Sequence, residues 1–346
     1  MKRLTTKEAL RLYKHESLHN LGSEANKFRQ AIHGNRVVTF VIDRNINYTN
    51  VCINRCKFCA FFRDKDSPEA YLLSHQEIFK KIQETIALGG TQILLQGGIN
   101  PELGLDYYCD LFREIKNRFT INIHGLSPTE MVYLSNRHGI SIKETLQRLR
   151  EAGLDSIPGG GAEILSDRVR RAISPNKILS SQWLEVMETA HSIGMKTTAT
   201  MMFGSIEGPE EVIEHLELIR SLQDRTGGFT AFIPWSFQPH NTQLSKEVSI
   251  LPVTAVDYLR VLSISRLYLD NVPNIQASWV TQGLKLAQVA LLFGANDMGS
   301  TMIEENVVRA AGASYRASIG EIVDTVKKAG FRPVQRDTYY RPIKEF

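Results

Sequence analysis

The sequence predicts an α/β protein, a (β/α)8 TIM-type barrel with an N-terminal helical cap and a C-terminal helix. From Val37 onward a short apolar, β-rich run alternates with an amphipathic helix eight times, the pattern of a parallel sheet closed on itself. No internal repeat, low-complexity segment or long linker interrupts that alternation, and 346 residues suffice for a barrel of about 250 residues plus appendages. An open, doubly wound sheet satisfies the same alternation and stands second. The division is therefore 1–36 as helical cap and 37–346 as barrel with a C-terminal helical extension.

In order, residues 5–34 carry Ala9, Leu10, Tyr13, Leu18, Leu21 and Phe28 at helical spacing, with Gly34 as the stop. Strand one is Val37–Ile42. After a cysteine-bearing loop, Ser74-His-Gln-Glu77 forms a capping box that opens a helix. Strand two is Thr91–Gly98. The helix starting near Asp106 buries Leu105, Tyr108, Cys109, Phe112 and Ile115, which makes Cys109 a small core residue with no chemical role. Strand three, Ile121–His124, precedes a helix with Pro128 at its first position. A further helix opens at Ser141, and strand four, Asp155–Pro158, runs into Gly159-Gly-Gly-Ala-Glu163, with a short helix expected from Glu163. Strands five to eight are Lys196–Phe203, Phe229–Phe237, Ile275–Val280 and Ala295–Ser300. Helices are expected over 210–222, 254–269, 282–293, 303–312 and 319–329.

Composition narrows the function class. Hydrophobic residues at 42% and charged residues at 23% are ordinary for a globular chain, and a net charge of +4 with scattered lysines and arginines does not mark a nucleic-acid binder. The basic N-terminus lacks the apolar core of a signal peptide, and no run approaches the ~20 apolar residues that span a bilayer. A cytoplasmic, reducing location follows as the expectation, with no nucleic-acid or membrane partner.

Three of the four cysteines, Cys52, Cys56 and Cys59, fall in one eight-residue window. Iron–sulfur clusters are normally held by four cysteines and structural zinc sites are closed and four-coordinate, so a C-x3-C-x2-C triplet without a nearby fourth cysteine points to an open centre. A zinc knuckle completed by His75 or His124 is the alternative, and a disulfide network fits less well, since three local cysteines and a distant Cys109 pair badly. Barrel chemistry gathers at the C-terminal strand ends. There the sequence places the cysteine loop, Gln96-Gly97-Gly98, His124, Glu163, Phe203-Gly204, Gln238-Pro239-His240, Ser278 and Asn296-Asp297. Gly97-Gly98 reads as a tight turn or as a close approach to a ligand. Three consecutive glycines at 159–161 are an expensive loop to order, which favours a ligand there, against a ligand-free Glu163–Arg168 surface pair.

The triplet, with Phe58 before its last cysteine, resembles the signature of the radical S-adenosylmethionine (SAM) superfamily. The resemblance implies a 4Fe-4S cluster on Cys52, Cys56 and Cys59 whose open iron chelates SAM and whose electron cleaves it to a 5'-deoxyadenosyl radical. It further implies that Phe58, Gly97, Gly98, Glu163 and Arg168 serve the cofactor, and that a one-electron donor such as flavodoxin or ferredoxin is a partner. The stretches 38–52, 153–163, 198–204, 228–238 and 299–306 together resemble the family of cyclic dehypoxanthine futalosine synthases, in menaquinone biosynthesis by the futalosine pathway. That narrower resemblance implies removal of the C4' hydrogen of dehypoxanthine futalosine and addition of the carbon radical to the attached aromatic ring. Loss of an electron and a proton then restores aromaticity.

The substrate carboxylate calls for a cation, for which Arg44, Arg168 and Arg309 are candidates. His124, Glu163 and Asp297 are candidate proton acceptors. Trp235 and Phe237 offer aromatic stacking and Ser278 a hydroxyl, although aromatics in a strand are as readily core residues. Sister families sharing the loop are the aminofutalosine synthases and the radical enzymes of deazaflavin chromophore synthesis; a zinc-binding, non-catalytic barrel is the reading from another class. A ferredoxin-like electron carrier is excluded by the missing fourth cysteine.

Overall fold

The first barrel strand changes neighbours halfway along, and the rest of the architecture follows from that switch. In a computed structural model, which describes residues 3–34 and 36–346, the strands are β1 Val37–Val41, β2 Asp43–Ile46, β3 Gln92–Leu95, β4 Asn122–Gly125, β5 Ser156–Ile157, β6 Lys196–Phe203, β7 Phe229–Ser236, β8 Asn274–Ile275, β9 Asp297–Ser300, β10 Arg332–Arg336 and β11 Pro342–Glu345. Met1 and Lys2 of the basic N-terminus lie outside the described residues. Strands β2 to β8 form a parallel sheet in chain order, and β11-β10-β1-β9 form a second. β1 and β2 are two halves of one strand, split at Ile42.

The two sheets join into a closed barrel. On one side Thr301 N and Ile303 N donate to Val41 O and Asp43 O at 2.9 and 3.2 Å, carrying the β9 pairing up along β2. On the other, Ala277 N donates to Asp297 O at 2.8 Å and Asn296 N to Ile275 O at 3.1 Å. With β1–β2 counted once, the ring holds that strand and β3 to β9, eight in all. The sequence-predicted (β/α)8 barrel is the observed fold.

Outer helices follow the cap signals. The capping box at Ser74 and Glu77 opens His75–Ala87, Pro128 opens Pro128–His138, and Thr254 with Asp257 opens Ala255–Tyr268. The N-terminal segment is two helices rather than one, Thr6–His15 and Leu18–His33, because Ser17 caps the second through Asn20 N. They lie along the outer helices Pro209–Thr226 and Ala255–Tyr268, and His33 reaches the lower rim at Pro273 O, 2.7 Å away. Cys109 is buried in the core of Leu105–Arg118, as expected.

Four expectations need correction. The C-terminal extension is a helix, Ile319–Lys328, followed by the β10–β11 hairpin, so it is not helical throughout. β10 pairs with β1 from Val37↔Arg332 to Phe40↔Gln335, on the edge that β3 takes over from Asp43↔Gln92. Thus the tail wedges into the base of the barrel. Strand seven stops at Ile275 because the helix Trp279–Ala290 begins so soon after it. The helix expected over 303–312 is only Val307–Ala310. Finally, Glu163 starts no helix: its φ is 41°, and the helix there is Asp167–Ile173.

Candidate active site

After β2 the chain runs out over the C-terminal mouth and folds back on itself. Asn47 Nδ2 donates to Gln96 O at 3.2 Å, Thr49 Oγ1 to Tyr71 O at 2.6 Å, and Cys52 N to Arg63 O at 3.1 Å. Arg63 Nη1 is bound by the carbonyls of Ala60 and Phe62 at 3.0 and 2.9 Å, so the loop shapes itself around one guanidinium. Cys56 is buried, Cys52 and Cys59 are half-buried, and all three are free thiols. Burial pushes the Cys56 thiol up to about 12 and raises that of Cys59. Thiolates in such a place need a cation bound to them.

The donor set discriminates between the metal readings. Among the described residues no three His, Cys, Asp or Glu side chains converge on a single ion. His75 Nδ1 faces Glu114 at 3.3 Å and His124 Nδ1 faces Ser156 Oγ at 2.6 Å, so neither turns to the cysteine loop. Three thiols on one loop, with no histidine turned to them, are the donor set that would hold an open iron–sulfur cluster.

Gly97 and Gly98 sit beneath that loop, and neither has a positive φ, so the tight-turn reason does not apply. A Cβ on Gly98 would lie 2.2 Å from Val51 O and 2.7 Å from Cys52 Cβ. The pair is therefore required for the cysteine loop itself to seat on the barrel. Below it, Tyr48 OH donates to Glu130 Oε1 at 2.5 Å and lies 3.1 Å from Tyr108 OH, while Ser127 Oγ binds Glu130 Oε2 at 2.6 Å. Burial raises the Glu130 carboxyl to about 7.

The glycine run faces the same mouth. Glu163 is buried; Oε1 accepts from Lys177 Nζ at 2.9 Å, and Oε2 lies 3.5 Å from Arg170 Nη1 with no hydrogen-bond partner. Lys177 Nζ stands 5.4 Å from the centre of the Phe58 ring, which ties this cluster to the cysteine loop. Arg168 is not part of it. Its side chain is 61% exposed and pairs with Glu211 at 2.6 Å. Two positions on a helix are about 200° apart, so turning Arg170 inward turns Arg168 outward. Arg170 instead braces the glycine run, donating to Gly161 O at 3.1 Å and to Ile178 O at 2.7 Å.

Inside the barrel lies a cavity of about 280 Å³ whose wall includes Asp43, His124, Glu163, Trp235, Ser278 and Arg336. Such interiors are usually filled by branched apolar side chains. Here Gln92, Thr198, Thr200 and Gln276 leave it open and set polar groups into a largely apolar wall. Of the sequence candidates, His124, Trp235 and Ser278 line it. Burial holds the His124 imidazole down at about 3, so it is neutral and a weak proton acceptor. Phe237 is 3% exposed core and does not line the cavity.

Four further residues singled out in the sequence lie elsewhere. Arg44 alternates with Asp43 and Asn45, so those two face inward and Arg44 faces the outer helix, 2.7 Å from Glu84 and 3.2 Å from Lys81 O. Asp297 is the first residue of β9, at its lower end, and is fully buried in a bidentate pair with Arg336 at 2.5 and 3.0 Å. Asn296 lies lower still, bound to Arg266 Nη2 at 2.6 Å. Arg309 lines a separate outer hollow that shares Val280, Met302, Glu305 and Val308 with the cavity wall. Sequence reasoning missed Asp43, Lys177, Arg170 and Arg336. For Asp43 the inward alternation Val41, Asp43, Asn45 was the available signal; the other three are brought in by tertiary folding alone.

A parallel barrel with a three-cysteine loop at its C-terminal mouth defines the radical SAM class. The model of that class, "Radical SAM superfamily", matches residues 46–219, and "CofH/MqnC C-terminal region" matches residues 226–345. The chain belongs to the radical SAM superfamily and, within it, to the family that includes the cyclic dehypoxanthine futalosine synthases. The synthase of that name from Halalkalibacterium halodurans is 47% identical over 345 residues, 99% of this chain and 92% of that one. The one from Streptomyces coelicolor is 45% identical, over 99% and 86%. A 5-amino-6-(D-ribitylamino)uracil–L-tyrosine 4-hydroxyphenyl transferase from Methanopyrus kandleri is 45% identical over 89% of this chain and 85% of its own. In fold the chain resembles the FeFe-hydrogenase maturase HydG of Carboxydothermus hydrogenoformans (TM-score 0.78, 19% identity, 98% of this chain and 78% of that one). It also resembles methylornithine synthase (TM-score 0.74, 21% identity, 96% and 94%).

Proposed function

We infer that this chain is the radical SAM cyclase that converts dehypoxanthine futalosine to cyclic dehypoxanthine futalosine in menaquinone synthesis. The observation that carries the reading is identity of 45–47% to two synthases of that name over 99% of the chain, with the three cysteines intact at the mouth. When bound, a 4Fe-4S cluster together with SAM supplies a carbon radical able to take a hydrogen atom from a C–H bond.

The chain's own residues hold and orient. Cys52, Cys56 and Cys59 are the cluster ligands, seated by Gly97 and Gly98, with Phe58 and Lys177 packed beside them. Glu163 keeps one unpartnered carboxylate oxygen and lines the cavity, which makes it the acceptor for a hydroxyl or amino group of the bound nucleoside. Trp235 gives the substrate ring a flat apolar wall, while His124 and Ser278 give neutral hydrogen bonds. Arg309, above in the adjoining hollow, is the sequence candidate left for the substrate carboxylate. Closing such a reaction inside a barrel fixes radical and ring together and keeps water out, and well-oriented pairs reach effective molarities of order 10⁵ M or more. A small electron carrier of the flavodoxin or ferredoxin kind in the cytoplasm completes the reading; no described helix is long and apolar enough to cross a membrane.

The archaeal transferases give the second reading its weight, at nearly the same identity. The test is anaerobic reconstitution with iron and sulfide, then SAM, a reductant and dehypoxanthine futalosine. Substrate-dependent 5'-deoxyadenosine with a product two hydrogens lighter is expected. 5'-Deoxyadenosine that forms only with 5-amino-6-(D-ribitylamino)uracil and tyrosine would move the chain to the transferases.

A further inference from the structure

The cavity wall holds one carboxylate that neither a cation nor a helix end claims. Glu163 is paired with Lys177, and Glu305 accepts the backbone N–H groups of Val307, Val308 and Arg309. Just below, Asp297 is committed to Arg336. Asp43 is 1% exposed and lines the cavity, with Gln92 Nε2 donating to Oδ2 at 2.6 Å and Ser300 Oγ donating to Oδ1. Gln92 is itself clamped by Thr338 Oγ1 at 2.7 Å, and Thr338 by Asn122 Nδ2 at 3.1 Å, so the carboxylate is held in one orientation. A carboxylate has about four lone-pair sites, and these two donors leave acceptor capacity over.

Resting on the cyclase reading above, we propose that Asp43 is the base that takes the proton lost when the cyclised substrate regains its aromatic ring. Addition of the substrate carbon radical to the ring forms a C–C bond and leaves an unpaired electron on the ring and a hydrogen on the attacked carbon. Breaking that C–H bond sends the proton to an Asp43 oxygen, and the ring gives one electron to a one-electron acceptor of the iron–sulfur class. With the hydrogen atom taken at the start, the product is two hydrogens lighter than the substrate.

The electrostatics suit the task. Burial pushes the Asp43 carboxyl up to about 6, opposed by the hydrogen bonds from Ser300 and Gln92. The charged groups facing it are Arg336, which favours the anion, and Asp297, which opposes it. An acceptor near neutrality is ionised at working pH and still basic enough to hold the proton. His124, at about 3, is too weak a base, and Glu163 and Asp297 are held in ion pairs with Lys177 and Arg336.

The experiment measures cyclic product per 5'-deoxyadenosine in the reconstituted full chain between pH 5 and 8. In the native protein that ratio should fall as pH drops through about 6, as Asp43 gains its proton. Asp43→Asn should still form substrate-dependent 5'-deoxyadenosine, because hydrogen abstraction does not need the base, while product per 5'-deoxyadenosine drops by about 10² or more and loses its acid limb. Ser300→Ala removes a donor to the anion, so its limb should move to higher pH; this milder variant decides the matter if Asp43→Asn does not fold. A native ratio and pH profile in Asp43→Asn, or an unmoved limb in Ser300→Ala, overturns the proposal. If the native chain forms no 5'-deoxyadenosine with dehypoxanthine futalosine, the cyclase reading has failed, and that failure is seen before any variant is made.

Discussion

The mouth and the base of this barrel are both polar, but they are built in opposite ways. The mouth depends on one continuous stretch, residues 45–63, which carries all three cysteines, folds back on itself through Cys52 N to Arg63 O, Cys59 N to Cys56 O and Arg63 N to Asn50 O, and is seated on the barrel at Gln96 and Glu130. The base is assembled from distant segments, with Arg336 bound to Asp297, Thr338 to Gln92 and Tyr340 to Gln276. Chemistry that must hold a multi-atom centre can be coded in a short motif. A substrate cavity needs side chains from every strand, and no short motif can contain them.

The largest effect should come from the mouth. Cys56→Ala removes one of the three proposed cluster ligands, and Cys109, the other described cysteine, lies in the core of an outer helix. Reconstituted protein should lose its brown absorbance and most of its iron, and make no 5'-deoxyadenosine, while its circular dichroism stays native. Retained iron and activity would show that the local motif is not what holds the centre.

Next, the base. Arg336→Met leaves Asp297 buried and unpaired, and breaking a buried pair by removing one partner costs about 3–5 kcal/mol. Thermal or urea unfolding should register this as one of the largest single losses in the protein, although the position is far from any motif. A loss below about 1 kcal/mol would mean the tail is only loosely inserted.

Between the two lies Tyr48, at the foot of the cysteine loop. Tyr48→Phe strands a buried Glu130 oxygen, a cost of about 1–3 kcal/mol. The pH dependence has a definite sign. The folded carboxyl of Glu130 sits at about 7, above its ordinary 4.5, so the folded state binds the proton more tightly than the unfolded chain. Its contribution is therefore fully present at low pH and is lost as pH rises from about 4.5 through 7. Glu130→Gln should remove that part of the pH dependence, read from unfolding midpoints across the range.

The same contrast explains what could be read in the sequence. The eight-fold alternation and the capping residues at Ser74, Ser127, Ser141 and Thr254 are local signals, and the structure follows them closely. So are the three cysteines. The β10–β11 hairpin was not legible, because Arg332-Pro-Val-Gln-Arg is short and mixed in polarity, and becomes a strand only through its pairing with β1. The cations failed for a related reason. Arginine reaches far, and whether it faces a cavity or a neighbouring helix is set by one residue of register in a strand, as with Arg44, or one step of a helix, as with Arg168.

Arg168 supplies the smallest expected effect. It stood among the sequence candidates for both SAM and the substrate carboxylate, yet in the structure it is an exposed partner of Glu211, while Arg170, two residues on, is fully buried behind the glycine run. Arg168→Ala should change stability by no more than about 1 kcal/mol, as for exposed ion pairs, and leave KM for SAM where it was. Arg170→Ala should cost several-fold more stability and weaken SAM binding by loosening Gly161 and Ala162, whose carbonyls it holds. Reversed effects, with Arg168→Ala the costlier, would mean the helix Asp167–Ile173 is turned by about half a revolution. Only a helix held in register by its buried Val169 and Ile173 can make two arginines so close in sequence differ so much.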